Sequence, residues 1–370
     1  EEIHLRAGDN DLRGSIAYRS AANHGGRAKI DGQLRSSYLN VNELFPPPER
    51  RFLFSAEPLP VRWAKTHDID VGFEVGRFLR RNYDLRSLVG KVSSQSGKVD
   101  GHSKSSAFGG DLTLHLTLDT RSTPYRAKYQ YDWKGLNLAL LPAAQQFDRE
   151  ITGRMNLMGG VTGTGDSLHQ IMEQGDGYLF VDFESARFLR GGMELLTTSP
   201  INIAVQILRE VSPWAQRKKF FEIECGVVGL RIENGVGRSL APPDHTIAIK
   251  AKEFRLAGFG DVQFADESMS LSVRSKARRL GLSAAELIEQ SGLSTIYSPF
   301  YRIAGNLLRP QVEPDPQGTD LLQRLKLTTA WATGGTSVFL LGLIDRLVVE
   351  SVGCEGARER ARALVPASFP

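Results

Sequence analysis

The residues best placed to do chemistry run from Gly159 to Gly165, a Gly-Gly-Val-Thr-Gly-Thr-Gly stretch of the kind that cradles phosphate on backbone N–H groups. A phosphate loop would continue with Gly-Lys and a hydroxyl residue. This chain continues with Asp166, which sets negative charge where phosphate would sit, so the stretch predicts a glycine bulge and a helix entry. The seven histidines, His4, His24, His67, His102, His115, His169 and His245, never fall at metal-ligand spacing, and no metal site or cofactor is expected. The pairs Asp68/Asp70 and Glu222/Glu224 stand two residues apart, which places them on the wetted faces of strands. No G-x-S-x-G elbow, H-E-x-x-H helix or calcium loop occurs, so the chain reads as a non-enzyme. Cys225 and Cys354 belong to no C-x-x-C and no Cys/His cluster; a disulfide between them and two separate buried thiols both fit. The basic runs Arg77-Arg80-Arg81, Arg217-Lys218-Lys219 and Arg274-Lys276-Arg278-Arg279 read as wetted surface, with an anionic membrane as the one alternative they fit.

Composition narrows the class further. The chain has 370 residues, 41% hydrophobic and 24% charged, which excludes disordered, collagenous and membrane-bundle classes. Lysine and arginine exceed the acids by only four (46 − 42), and the two signs are interleaved. Neither a nucleic-acid partner nor a nucleotide is expected. The longest apolar run, Val338 to Ile344, is ended by Asp345-Arg346 and is too short to cross a bilayer. There is no signal peptide, and the sequence opens on Glu1-Glu2-Ile3 without an initiator Met, as a fragment does. Glycine, at 37 residues, is above the usual ~7% and follows no Gly-X-Y period, which calls for many turns and bulges between short elements.

Those elements are mostly strands. Leu112, Leu114, Leu116 and Leu118 alternate with Asp111, Thr113, His115, Thr117 and Asp119, the period of a sheet with one buried face. The same period recurs in Asp68 to Val75, in Phe221-Ile223-Cys225-Val227, in Thr246 to Ala251 and in Ser268 to Arg274. Glycine pairs and Asn234-Gly235 punctuate the runs at hairpin spacing. Helical spacing is brief: Ser167 to Glu173, Ser199 to Val211, about Asp320 to Leu327, and Ser337 to Glu350. Proline- and charge-rich breaks divide the chain into residues 1–60, the end of a preceding unit; 61–147, a β unit; 148–310, a second β unit with short helices; and 311–370, a helical tail. The two β units share a weak repeat of strand, Leu-x-x-Leu-like stretch and glycine-marked strand. So much apolar strand surface with few helices to cover it must close as a barrel, pair as a sandwich or curl into a trough.

Phe54-Ser55-Ala56-Glu57-Pro58-Leu59-Pro60, followed after a spacer by Asp68-Ile69-Asp70-Val71, resembles the FSxEPLP…DxDV passage of the AsmA family of bacterial envelope proteins. The likeness continues in order through Gly32 to Leu44, Ala107 to Leu112, Gly159 to Gly163, Glu224 to Gly235, Gly260 to Val262 and Arg302 to Pro310. The resemblance implies a mainly β fold: an elongated, curved antiparallel sheet forming an open hydrophobic groove (a β-taco), with a few short helices and a helical C-terminal tail. It also implies a periplasmic location behind an N-terminal inner-membrane helix upstream of this sequence, and a likeness to bridge-like lipid transfer proteins. Phospholipids, and the inner or outer membrane or their proteins, are the partners it implies. Acyl chains would then lie on Ile69, Val71, Phe73, Val75, Leu112, Leu114, Leu116, Leu118, Ile223, Ile247, Ile249, Met269, Leu271 and Val273. The alternative is an assembly factor that offers its sheet edges to outer-membrane protein strands.

Overall fold

A computed structural model of the chain describes residues 2–21, 26–46, 53–81, 83–141, 152–189, 220–240, 244–252, 254–277, 300–307, 309–314 and 353–366. The alternating runs form strands as expected. They are β1 (Glu2–Ala7), β2 (Asn10–Arg19), β3 (Ala28–Asn40), β4 (His67–Arg80), β5 (Tyr83–Gln95), β6 (Lys98–Ala107), β7 (Gly110–Asp119), β8 (Arg126–Asn137) and β9 (Thr152–Thr164). There follow β10 (Asp176–Leu189), β11 (Phe220–Glu233), β12 (Val236–Arg238), β13 (Ile247–Ala251), β14 (Phe254–Gln263), β15 (Ser268–Ala277), β16 (Phe300–Asn306) and β17 (Arg309–Pro314). All seventeen belong to one sheet in which each strand pairs with its neighbour in sequence, the short β12 and β13 sharing the space between β11 and β14. The sheet curves into an open hydrophobic groove and carries only a few short helices.

Register decides which side chains meet. One row of partners runs Phe73, Gly90, Ser103, Leu114, Tyr131, Gly159, Leu179, Leu230 from β4 to β11. Another runs Leu112, Trp133, Leu157, Val181, Val228, Ile247, Gly258, Val273 from β7 to β15. Directly opposed residues in a ladder share a face. Both rows therefore lie on one face, the inner one, and the polar alternates lie on the outer one.

Four expectations need correction. The sheet is not antiparallel throughout: β3 and β4 run parallel, so their connection is a crossover and not a hairpin turn. The run 221–227 does not keep one face, because a bulge between Ile223 and Cys225 sends Cys225 and Val227 outward while Ile223 stays inside. The glycines of 159–163 are not a bulge; they sit within β9, where their lack of a side chain lets neighbours approach closely. Strand β17 carries the sheet to Pro314, four residues into the expected helical tail. The helices expected at 199–211, 320–327 and 337–350 lie outside the described residues.

Three α-helices are described. Helix α1 (Val41–Leu44) opens the crossover. Helix α2 (Leu168–Glu173) begins as its sequence predicts, with the Ser167 side chain accepting from the Gln170 N–H at 3.2 Å. Helix α3 (Cys354–Ala363) lies on the outer face against β10, β11 and β13. Its contact is built from small residues. Ala357 and Ala361 are fully buried against Phe180, Val227, Ala248 and Ala257, and a Cβ on Gly229 would stand 2.5 Å from that of Ala361. Arg358 donates from both Nε and Nη2 to the Asp182 carboxylate at 2.8 Å, a contact that raises the Arg358 pKa above its ordinary value. A disulfide joins Cys225 on β11 to Cys354 at the start of α3, across a sequence separation of 129.

Closing so long a loop removes much freedom from the unfolded chain. Cys354→Ser is predicted to lower unfolding stability by about 2–5 kcal/mol in denaturant titration. Gly229→Val should lift α3 from the sheet and expose Cys354 to thiol reagents after mild reduction; protection equal to that of the wild type would show that Gly229 does not seat the helix.

Candidate functional site

The inner face is not filled evenly. One band of buried apolar side chains crosses it near one end of the strands: Leu85, Leu112, Trp133, Leu136, Met155, Ala186, Ile223, Ala251, Leu256, Val273 and Ile303. A second crosses near the other end and includes Val99, Leu118, Ala127, Val161, Leu230, Ile232, Ile247 and Val262. Between the two bands the wall is half-buried. Along β7 alone, Leu112 and Leu118 are 8% and 3% exposed, whereas Leu116 between them is 37% exposed. A Cβ on Gly101, the partner of Leu116, would meet nothing nearer than 3.9 Å.

Aromatic rings lie flat along this middle band because glycines leave room for them. The Phe73 ring occupies the space a side chain on Gly90 would need, and the Tyr131 ring does the same over Gly159. Tyr129 and Tyr131 lean on each other with centroids 5.8 Å apart at 41°. Burial pushes the Tyr129 hydroxyl pKa up to about 12 and raises that of Tyr131 as well. By exposed area both tyrosines are only half-buried, like the rest of this band.

One end of the inner face is crossed by a strap, residues 53–66, which contains the Phe54–Pro60 passage and has no strand period. The Leu53 and Phe54 N–H groups donate to the two carboxylate oxygens of Glu267 in the β14–β15 turn, at 2.5 and 2.9 Å. Leu59 N–H donates to the Asp166 carbonyl at 2.8 Å and Ser55 O accepts from His169 N–H at 3.0 Å, which ties the strap to the entry of α2. Phe54 packs edge-on against Phe264 at 5.8 Å, and the side chain of Ala64 is fully buried in the second band. Glu267 is itself wholly buried, with the His169 ring nitrogen 3.7 Å away. The strap thus joins the β4 side of the sheet to the β14–β15 hairpin and closes that end.

All fourteen residues expected to line a groove share the inner face, but in two settings. Val75, Leu112, Leu118, Ile223, Ile247 and Val273 are buried. Ile69, Val71, Phe73, Leu114, Ile249, Met269 and Leu271 are half-buried and Leu116 is exposed. Sequence reading passed over Tyr129, Tyr131 and Trp133, although Tyr125 to Trp133 carries the same alternation that marked β7. A separate concavity of 1070 Å³ opens at β1 to β5, lined by the polar Glu2, Arg13 and Glu74 together with Ile3, Val75 and Leu88. Its lining mixes apolar side chains with charged ones, Arg35 standing 3.3 Å from Glu74. Among the described residues, no group of three His, Cys, Asp or Glu side chains is placed to hold a metal ion. No helix among them is long and apolar enough to cross a membrane. Comparison with family models, with curated proteins and with solved structures finds no match to this chain.

The Glu267 carboxylate is the acceptor for two strap N–H groups, and its loss leaves both without their partner. Glu267→Ala is predicted to destabilise the protein by about 2–4 kcal/mol in urea unfolding and to open the 53–66 strap to proteolysis ahead of global unfolding. Cleavage at the wild-type rate would show that the carboxylate does not hold the strap.

Proposed function

We propose that the chain is a non-enzymatic lipid-binding and transfer unit of the bacterial envelope, holding phospholipid acyl chains on the inner face of its sheet between inner and outer membranes. The observation that carries this reading is the half-buried apolar band between the two packed ones, with Leu116 at 37% exposure as its most open residue. An aqueous site gains nothing from such a wall. An acyl chain gains about 0.8 kcal/mol for each CH₂ it buries there. From β4 to β9 the band crosses five strand spacings, on the order of 24 Å, enough to accept the length of a membrane lipid's acyl chain lying across the strands. The AsmA-like passages support the same reading, and they include the strap itself. The Cys225–Cys354 disulfide is in keeping with an oxidising compartment such as the periplasm.

A second reading, assembly by strand addition, rests on the sheet edges. Pro310 and Pro314 of β17 pair with Gly305 and Tyr301 of β16 and bring no N–H to the ladder. Strand β1 holds no proline over Glu2–Ala7 and leaves Leu5 exposed, so an added strand would find its ladder on that edge. A photo-reactive side chain at position 116 should capture lipid under the first reading, and one at position 5 should capture polypeptide under the second.

Leu116→Asp places a carboxylate in open apolar space, whereas Leu112→Asp buries one in packed core. The first substitution is expected to abolish phospholipid co-purification, measured by mass spectrometry of gently extracted protein, with the unfolding midpoint unchanged. The second is expected to unfold the chain. Gly101→Leu should fill the space and lower lipid content with the fold intact. Lipid content unchanged in both Leu116→Asp and Gly101→Leu would refute the proposal.

A further inference from the structure

We propose that the strand ends opposite the strap form a docking rim for an anionic lipid bilayer, with Leu44, Phe45, Tyr83 and Leu140 entering its headgroup region. The inference rests on the envelope reading above for its partner and adds the surface that meets it, at a place separate from the half-buried band.

Of the nine large hydrophobic side chains exposed among the described residues, these four lie at one end of the sheet, where β3 and β8 finish and β5 begins. Printed neighbours join them into one rim. Helix α1 is pinned to the β4–β5 turn: Arg81 N–H donates to Asn42 Oδ1 at 2.6 Å, and Arg80 Nη1 donates to the Phe45 carbonyl. The Tyr83 ring lies 6.5 Å from that of Phe108 in the β6–β7 turn. Asn137 N–H donates to the Phe108 carbonyl at 2.9 Å, and a Cβ on Gly109 would stand 3.0 Å from the Leu140 side chain. Hydrogen bonds thus hold Phe45 at 67% exposure. A single exposed apolar side chain is ordinary, but a gathered set on tethered turns marks an interaction site.

Charge decides which partner fits. Residues 41–46 and 77–86 hold four arginines, Arg77, Arg80, Arg81 and Arg86, against two acids, Glu43 and Asp84 (4 − 2 = +2). Asp84 is shared between Arg77 at 3.0 Å and Arg86 at 3.9 Å, and the hydrogen bonds of Arg80 go to the carbonyl oxygens of Val41 and Phe45. Positive charge is therefore left over beside the apolar tips. Arginine stems lie along apolar surface while their guanidinium groups reach phosphate oxygens, and basic residues next to leucine and aromatic rings are the composition of an interfacial lipid contact. A peptide or a second copy calls for one concave wall or one straight edge. Here the four residues stand on three separate turns, an arrangement that a fluid surface accepts.

The test is flotation of the purified chain with phosphatidylethanolamine vesicles that contain phosphatidylglycerol, against vesicles of phosphatidylcholine alone. The wild type should bind the first more tightly than the second, and salt should reduce the difference. Phe45→Ser should weaken binding about tenfold. Arg86→Gln should weaken it about fivefold on the anionic vesicles only. Tyr18→Ser, which removes an exposed ring at the other end of the sheet, should change nothing. No flotation by the wild type, wild-type binding by Phe45→Ser, or an equal loss from Tyr18→Ser would overturn the inference. A dimer in lipid-free solution that Phe45→Ser separates would give the patch to a second copy and overturn it as well. In Phe45→Trp, brominated acyl chains should quench the added emission; unquenched emission would show contact by charge alone and overturn the insertion. Leu116→Asp, aimed at the groove, should float like the wild type, so the rim and the groove reading fail separately. Its failure to float would show that vesicles bind through the groove, which also overturns the inference.

Discussion

The backbone ladder of the single sheet is the constraint on which everything else depends. Each strand is fixed by its neighbours, and because side chains alternate with period two, a slip of one residue anywhere would turn a whole strand's apolar set to water. The rows from Phe73 to Leu230 and from Leu112 to Val273 each hold across eight strands. That continuity gathers residues two hundred positions apart onto one face. It also means that the inner face is a property of the sheet and not of any single element.

A curved sheet with an apolar inner face tends to fill itself. Here the filling is complete only in two bands near the strand ends, and the glycines account for the difference. Where Trp133 faces Leu157 the wall is packed; one register step away Tyr131 lies flat over Gly159, and Phe73 lies flat over Gly90. Flat rings cover backbone without projecting into the space in front of it. Glycine at 90, 101 and 159 thus keeps the middle of the wall thin, while the larger residues at 99, 112, 118 and 157 close its margins.

Much of the fold was legible in sequence because alternation is local. Leu112 to Leu118, Asp68 to Val75 and Ser268 to Arg274 announce their faces without reference to the rest of the chain. The features that escaped depend on distant partners. The bulge after Ile223 is invisible because Cys225 and Val227 are as apolar as the residues they displace; only α3, which arrives 129 residues later, gives them an outer face to bury against. The strap carries no period at all. Its order comes from Glu267, Asp166 and His169, none of which its own residues reveal. Tyr129 and Tyr131 were legible as strand residues, but that their rings lie beside glycines of neighbouring strands depends on register, which a sequence does not display.

The geometry also constrains the direction of any movement. The open band runs across the strands, from β4 toward β10, whereas the packed bands and the strap lie at the strand ends. A chain lying in that band therefore meets an obstacle if it moves parallel to the strands and meets more sheet if it moves across them. A track of this kind grows only by adding strands at an edge. On β17, Pro310 and Pro314 supply no N–H, and of the three alternate positions 310, 312 and 314 only Val312 does. On β1 the ladder is intact, and its inward residues Ile3 and Leu5 continue the apolar alternation of Leu12, Gly14 and Ile16 on β2. Beside β1 the described strand thus keeps a ladder that another strand could join, whereas two of the six residues of β17 bring no N–H to theirs.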